Sequence, residues 1–149
     1  MKIIDGTGSV LGRLASYVAK ESLKGEEVAI VNCSEVIITG NRETIGEEFH
    51  EKRSRVGSSQ KGPKYPNKSE RIVKRTIRGM LPNHREGRGR EAWKRIKCYD
   101  KIPRELEGKE FIKLKKENKI KANKVSEFTK WYKNKKLKKR FCIQAQKIK

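Results

Sequence analysis

Apolar residues are scarce in this sequence. They make up 34% of the 149 residues, against 38% charged; the first figure is low for a free-standing globular domain and the second high. Part of the chain is therefore expected to stay solvated, or to become ordered only against a partner. No run of about 18 apolar residues is present to span a membrane. No secretory leader is expected either, none standing before Met1-Lys2-Ile3-Ile4. Cysteine is rare: Cys33, Cys98 and Cys142 lie far apart, with no CxxC pair and no Cys/His cluster. That excludes a recognisable zinc motif, and an odd count argues against a disulfide framework. Buried, reduced thiols in a reducing, cytoplasmic setting are expected. His50 and His84 are the only histidines, and neither neighbours a Ser or Cys in a nucleophile context, so solvated or partner-facing roles are expected of them.

Acid is also missing, from one part only. Residues 1–51 carry 5 Lys and Arg against 9 Asp and Glu, a net −4, whereas residues 52–149 carry 34 against 9, a net +25. A free monomer gains nothing from the self-repulsion of a total of +21. Nucleic acid is the usual partner of such a surface, because each phosphate neutralised releases condensed counterion. The asymmetry divides the chain into an ordinary soluble part and a phosphate-binding part.

The length favours one domain. Lys2–Asp5 reads as a short strand and Gly6-Thr7-Gly8 as a turn. A helix follows from Leu11, because Leu11, Leu14, Ala15 and Val18 recur at i, i+3, i+4 and i+7. Ser9 is its expected N-cap and Gly25 its stop. Val28–Val31 is a continuous apolar run, as in a strand buried on both faces, and Val36–Ile38 is another. A charged helix is expected over about 42–53, with Ile45 and Phe49 inward. Residues 56–68 hold Gly57, Gly62, Pro63 and Pro66 among basic residues and read as a loop. Ser69 caps the next expected helix, whose apolar stripe is Ile72, Val73, Ile77 and Met80. A short helix over 90–95 and a last strand at Ile96–Tyr99 follow. Val125, Phe128 and Tyr132 mark one more short helix, and Lys133 to Arg140 is nearly all basic.

One motif points to an enzyme. Gly6-Thr7-Gly8-Ser9-Val10-Leu11-Gly12 sits between a strand and a helix, where a dinucleotide fingerprint lies. Its spacing, G-x-G-x-x-x-G, fits only loosely. Asn32 stands where an acidic residue would hold the ribose, and there is no Walker loop. A tight turn with close packing is the simpler account. Glu43, Glu47, Glu48 and Glu51 fall at helical spacing and read as a solvated face.

The basic residues are of another kind: long runs, rich in arginine, broken by Gly and Pro, with little acid to balance them. Arginine suits phosphate because its planar fork donates two hydrogen bonds. The candidate RNA-binding set is Lys52, Arg53, Arg55, Lys61, Lys64, Lys68, Arg71, Lys74, Arg75, Arg78, Arg85, Arg88, Arg90, Lys94 and Arg95. Tyr65 and Trp93 are placed to stack on an unpaired base, although the i, i+3 spacing of Trp93 and Ile96 fits core packing equally well.

Several strings are recognisable. They include Leu11-Gly12-Arg13-Leu14-Ala15-Ser16, Val31-Asn32, Thr39-Gly40-Asn41, the run Lys74 through Pro82, Arg88-Gly89-Arg90-Glu91-Ala92 and Ile102-Pro103. Over residues 2–103 the chain resembles the universal large-subunit ribosomal protein family numbered thirteen, in the style of its archaeal and eukaryotic branch. Gly6, Lys68 and Lys101 depart from the family pattern of Ala, Pro and Gly at those places. The resemblance implies an α/β fold, a four-stranded parallel sheet flanked by helices on both faces, with a basic loop and a basic C-terminal extension. It divides the chain into a core at 1–103 and an extension at 104–149. It implies large-subunit rRNA and neighbouring ribosomal proteins as partners. No catalytic residue, cofactor, metal, membrane or small-molecule substrate is expected. Two other readings compete: a nucleotide-dependent enzyme on a Rossmann-like core, and a free RNA-binding translational regulator.

Overall fold

The computed structural model describes residues 1–55, 57–114 and 121–129. In chain order the strands are β1 (Lys2–Asp5), β2 (Val28–Val31), β3 (Ile37–Thr39), β4 (Ile96–Cys98), β5 (Ile112–Lys113) and β6 (Ala122–Lys124). The α-helices are α1 (Leu11–Leu23), α2 (Arg42–Ser54), α3 (Ser69–Met80), α4 (Gly87–Arg95) and α5 (Val125–Thr129).

β1, α1 and β2 form the strand–helix–strand unit read from the sequence, with Lys2 opposite Val28 and Asp5 opposite Val31 in a parallel pair. Helix α1 buries Leu14, Ala15, Val18 and Ala19. Its start differs from expectation: Val10 is the N-cap, and no side chain caps the helix. Ser9 ties the strand ends together instead. Its hydroxyl donates to the Asp5 carbonyl at 3.4 Å, and its own carbonyl accepts from the Ile37 N–H at 2.9 Å. The expected stop holds, since Gly25 lies at φ +102°, where a Cβ is strained.

The main sheet runs β4-β2-β1-β5, all parallel. Val36–Ile38 does contribute a strand, but β3 leaves this sheet and pairs antiparallel with β6. The burial explains why. Val36 is enclosed, yet Ile37 and Ile38 are half-covered and Thr39 is exposed, unlike β2, which is buried at every residue. The fourth parallel strand is the two-residue β5.

Alternation along β1 sends Ile4 to one face and Ile3 to the other. Ile4, Val28, Ile30 and Ile96 join the core contributed by α1, α3, Phe49 of α2 and Phe128 of α5. The opposite face, Ile3, Ala29 and Val31, is covered by Leu106, in a 3₁₀ turn at Arg104–Leu106, with Tyr99 and Phe111 beside it. The expected helices thus gather on one face, and a turn closes the second.

Helix α3 buries Ile72, Val73 and Ile77, but Met80 is 43% exposed, a correction to the expected stripe. Ser69 is the first helical residue and Lys68 the N-cap, without a capping side chain. Helix α2 is capped by Asn41, whose side chain accepts from the Glu43 N–H at 3.2 Å. In α5, Val125 and Phe128 are buried as read; Tyr132 and the basic run from Lys133 lie outside the described residues.

Candidate nucleic-acid interface

The Gly6–Gly8 turn is built for packing. A Cβ on Gly6 would lie 2.8 Å from Val36 Cγ2 and 3.0 Å from the Val31 carbonyl oxygen. Asn32, where a ribose-binding acid is absent, adopts a left-handed φ of 56° and donates its side-chain amide to the Asp5 carboxylate at 3.1 Å. The Thr7 N–H and hydroxyl donate to the same carboxylate at 3.0 and 2.7 Å. Partial burial pushes the Asp5 pKa up, but these donors outweigh it and hold the group below its ordinary value. The polar groups at this end of β1 and β2 therefore satisfy one another.

Cys33 and Cys98, distant in sequence, are neighbours in the fold. Cys98 lies opposite Ile30 in the sheet, and the Cys33 thiol is 3.9 Å from the Ile30 carbonyl. Hydrogen bonding with Cys98 and burial push the Cys33 pKa far up, so it stays a neutral thiol; Cys142 lies outside the described residues. Among the described residues no three His, Cys, Asp or Glu side chains gather to hold a metal, and no helix is long and apolar enough to cross a membrane.

The fifteen candidate cations divide by what they touch. Lys52 pairs with Glu48 and Arg55 with Glu51, each one turn apart on α2. Arg95 reaches Glu91 at 3.5 Å and the Ser22 carbonyl at 3.5 Å. Arg53 is turned inward: Nη1 donates to the Phe128 carbonyl at 2.8 Å and Nη2 to the Pro66 carbonyl at 3.2 Å. Its guanidinium sits 5.4 Å from the Phe49 ring centroid. Burial lowers its pKa, though an arginine remains protonated.

The others stand differently. Burial of Ile72, Val73 and Ile77 fixes the rotation of α3 and leaves Arg71, Lys74, Arg75 and Arg78 on its other side. Among the described residues no carboxylate pairs with any of these four. Like charges three and four apart on a helix repel, so this face carries a cost in the free chain. Arg75 is also a brace, donating to the Lys64 carbonyl at 3.3 Å with its guanidinium 4.5 Å from the Tyr65 ring centroid. Tyr65 in turn meets Phe49 edge-on at 5.5 Å. Lys61, Lys64, Lys68, Arg85, Arg88, Arg90 and Lys94 are exposed.

Helix α4 approaches the turn after α3 closely because of one glycine. A Cβ on Gly89 would lie 2.6 Å from the Pro82 carbonyl oxygen and closer still to that of Asn83. This seats the helix against the turn after α3 and brings Trp93 over to α3. The Lys74 ammonium stands 4.9 Å from the Trp93 ring centroid. Between α3, Trp93 and the loop at Lys64 and Pro66 opens a cleft of about 240 Å³. Its position depends on contacts between three segments, which helical periodicity alone does not show. Trp93 packs on the core, as the spacing to Ile96 suggests, and also lines this cleft.

A protein-family model described as ribosomal protein L13 matches residues 1–105. The chain is 46% identical over 112 residues to large ribosomal subunit protein uL13 of Archaeoglobus fulgidus, covering 75% of this chain and 70% of that protein. It is 49% identical over 115 residues to uL13 of Methanosarcina barkeri, covering 76% and 81%. With uL13 of Thermoplasma acidophilum it shares 45% over 126 residues, covering 85% and 89%.

Proposed function

The chain belongs to the ribosomal protein L13 family, and from that premise we propose that it is a structural constituent of the large ribosomal subunit that binds and stabilises large-subunit rRNA. The observation that carries the RNA contact is the row of α3 cations left without carboxylate partners among the described residues. Arg88 and Arg90 extend it along α4. To it we add the exposed loop lysines Lys61, Lys64 and Lys68, together with the exposed Arg85 and Lys94. Lys52, Arg55 and Arg95 add charge at the margin, where RNA phosphates compete with their acidic partners. Arg53 contributes by shaping the loop through the Pro66 carbonyl. The core at 1–103 carries most of this surface, and the extension at 104–149 begins on the sheet and adds further charge.

The role is that of a scaffold within a cytoplasmic ribosome, beside other large-subunit proteins, with no catalytic residue and no small-molecule substrate. Against the enzyme reading, the Asn32 side chain is engaged by Asp5, and the N–H groups of Gly6, Thr7, Gly8 and Ser9 are already donated within the fold. The test is incorporation into large subunits, followed by sedimentation. Changing Arg71, Arg78, Arg88 and Arg90 to Gln, with Arg75 left to brace Tyr65, should reduce incorporation strongly while thermal stability is kept. If that variant assembles normally, the interface lies elsewhere. Retention of NAD or ATP by the purified chain would favour the enzyme, and recovery with particular messenger RNAs alone would favour the regulator.

A further inference from the structure

We propose that the cleft between α3 and Trp93 takes a single unpaired nucleotide, its base against the Trp93 ring and its phosphate among the α3 cations. This rests on the RNA-binding reading above and names the class of RNA taken at this point.

The walls decide the ligand. Arg71, Lys74, Arg75 and Arg78 stand on one side, Trp93 and Pro66 supply apolar surface, and none of the described wall residues is acidic. A flat ring carrying an anion complements that combination. A duplex backbone needs the cations alone, and inside a duplex the base faces are stacked away from any side chain. Size points the same way. About 240 Å³ far exceeds the roughly 10–15 Å³ that admits one water. It falls short of the roughly 300–1,000 Å³ typical of sites enclosing drug-sized ligands. One nucleotide fits this range better than a dinucleotide does.

Trp93 is the ring available. Tyr65 is held between Phe49 and Arg75, whereas Trp93 is half-buried with part of its surface in the cleft. Lys74 occupies that ring now. An exposed ammonium on an aromatic face is worth about 2- to 5-fold in a binding constant, and a base stacked there about 5- to 150-fold. The base displaces the ammonium, and the freed Lys74 turns to the phosphate. Lys74 therefore keeps the ring covered until RNA arrives and then neutralises the ligand's charge.

The experiment uses the full chain carrying Trp131→Phe, which leaves Trp93 the sole tryptophan of the two. Its fluorescence is followed on titration with a short single-stranded oligoribonucleotide, with the blunt duplex of the same sequence, and with inorganic phosphate. Quenching by the single strand, and not by the duplex or phosphate, is expected. Trp93→Leu should weaken single-strand binding by about 5- to 150-fold and leave duplex binding unchanged, while Trp93→Phe retains most of it. Equal quenching by duplex and single strand, no quenching at all, or an equal loss for both RNAs in Trp93→Leu overturns the proposal. The quenching needs no change at Trp93, so it decides even if Trp93→Leu fails to fold. Loss of strand selectivity in a chain that still sediments with large subunits sinks this cleft alone. Failure of the unmodified chain to sediment with them sinks the ribosomal reading, and the proposal with it.

Discussion

Arg53 fastens Phe128: its Nη1 donates to the Phe128 carbonyl at 2.8 Å, joining α2 to α5 across 75 residues of sequence. The second arm of the same guanidinium holds the Pro66 carbonyl, so a side chain inside a basic run acts as an internal clamp. Arg53→Gln should lower unfolding stability by about 1.5–3 kcal/mol, the range for hydrogen bonds to a charged group. Arg53→Lys should recover little, because one ammonium does not reproduce the planar fork. Denaturant unfolding of the full chain measures both. A variant as stable as the parent but weaker for RNA would return Arg53 to the outer surface.

Glu21 makes the stability acid-sensitive. It sits between Lys2, at 2.5 Å, and Lys24, at 2.8 Å, with its own side chain 8% exposed. Hydrogen bonds from Lys2 and then Lys24 push its pKa down from 4.5 to about 2. A carboxylate depressed in the folded state contributes fully above its unfolded pKa, and the contribution fades as pH falls through the folded one. The advantage of the parent over Glu21→Gln should therefore be constant near neutrality and shrink between about pH 4.5 and pH 2. Unfolding midpoints across that range check it; an advantage that does not shrink there contradicts the assignment.

Two glycines should respond oppositely to alanine. Among the described residues nothing lies within 4 Å of a Cβ added to Gly12, which lies within α1. Gly12→Ala should stabilise by about 0.5–1 kcal/mol. Gly89→Ala drives a methyl into the Pro82 and Asn83 carbonyls and should destabilise by about 1–3 kcal/mol through overpacking. Because the clash displaces α4, it should also shift Trp93 fluorescence. Melting shifts of the same sign would contradict the close approach of α4 to the turn.

RNA binding should be steeply dependent on salt. With about 8 phosphates contacted, log affinity should fall against log salt at a slope of about −6 to −7. Titration of an rRNA fragment at several salt concentrations gives the slope, and a value shallower than about −2 would leave too few phosphate contacts for the proposed surface.

The elements that were readable beforehand are those whose signal is local. Leu14, Ala15 and Val18 announce α1 by spacing, and Val28 to Val31 announce a buried strand by being apolar throughout. What stayed hidden depends on partners far along the chain. β3 meets β6 about eighty residues later, and β6 is Ala-Asn-Lys, which carries no strand pattern. β5 is two exposed residues, held because β1 offers an edge. Arg53 shares its residue type and neighbours with the surface cations, and only the placement of two carbonyls sets it apart. Met80 fits the period of α3, but the helix outruns the core beneath it.

The pairing of Ile4 with Ile112 also sets a timetable. Chains are made from the N-terminus at roughly 5–20 residues per second, so the roughly hundred residues between these partners take about 5–20 s to appear. Throughout that interval the outer edge of β1 has no strand beside it, and such an edge is a template for pairing with another chain. A newborn molecule is thus open to misassembly along one defined edge for a span of seconds, and any chaperone that guards it has that span in which to act.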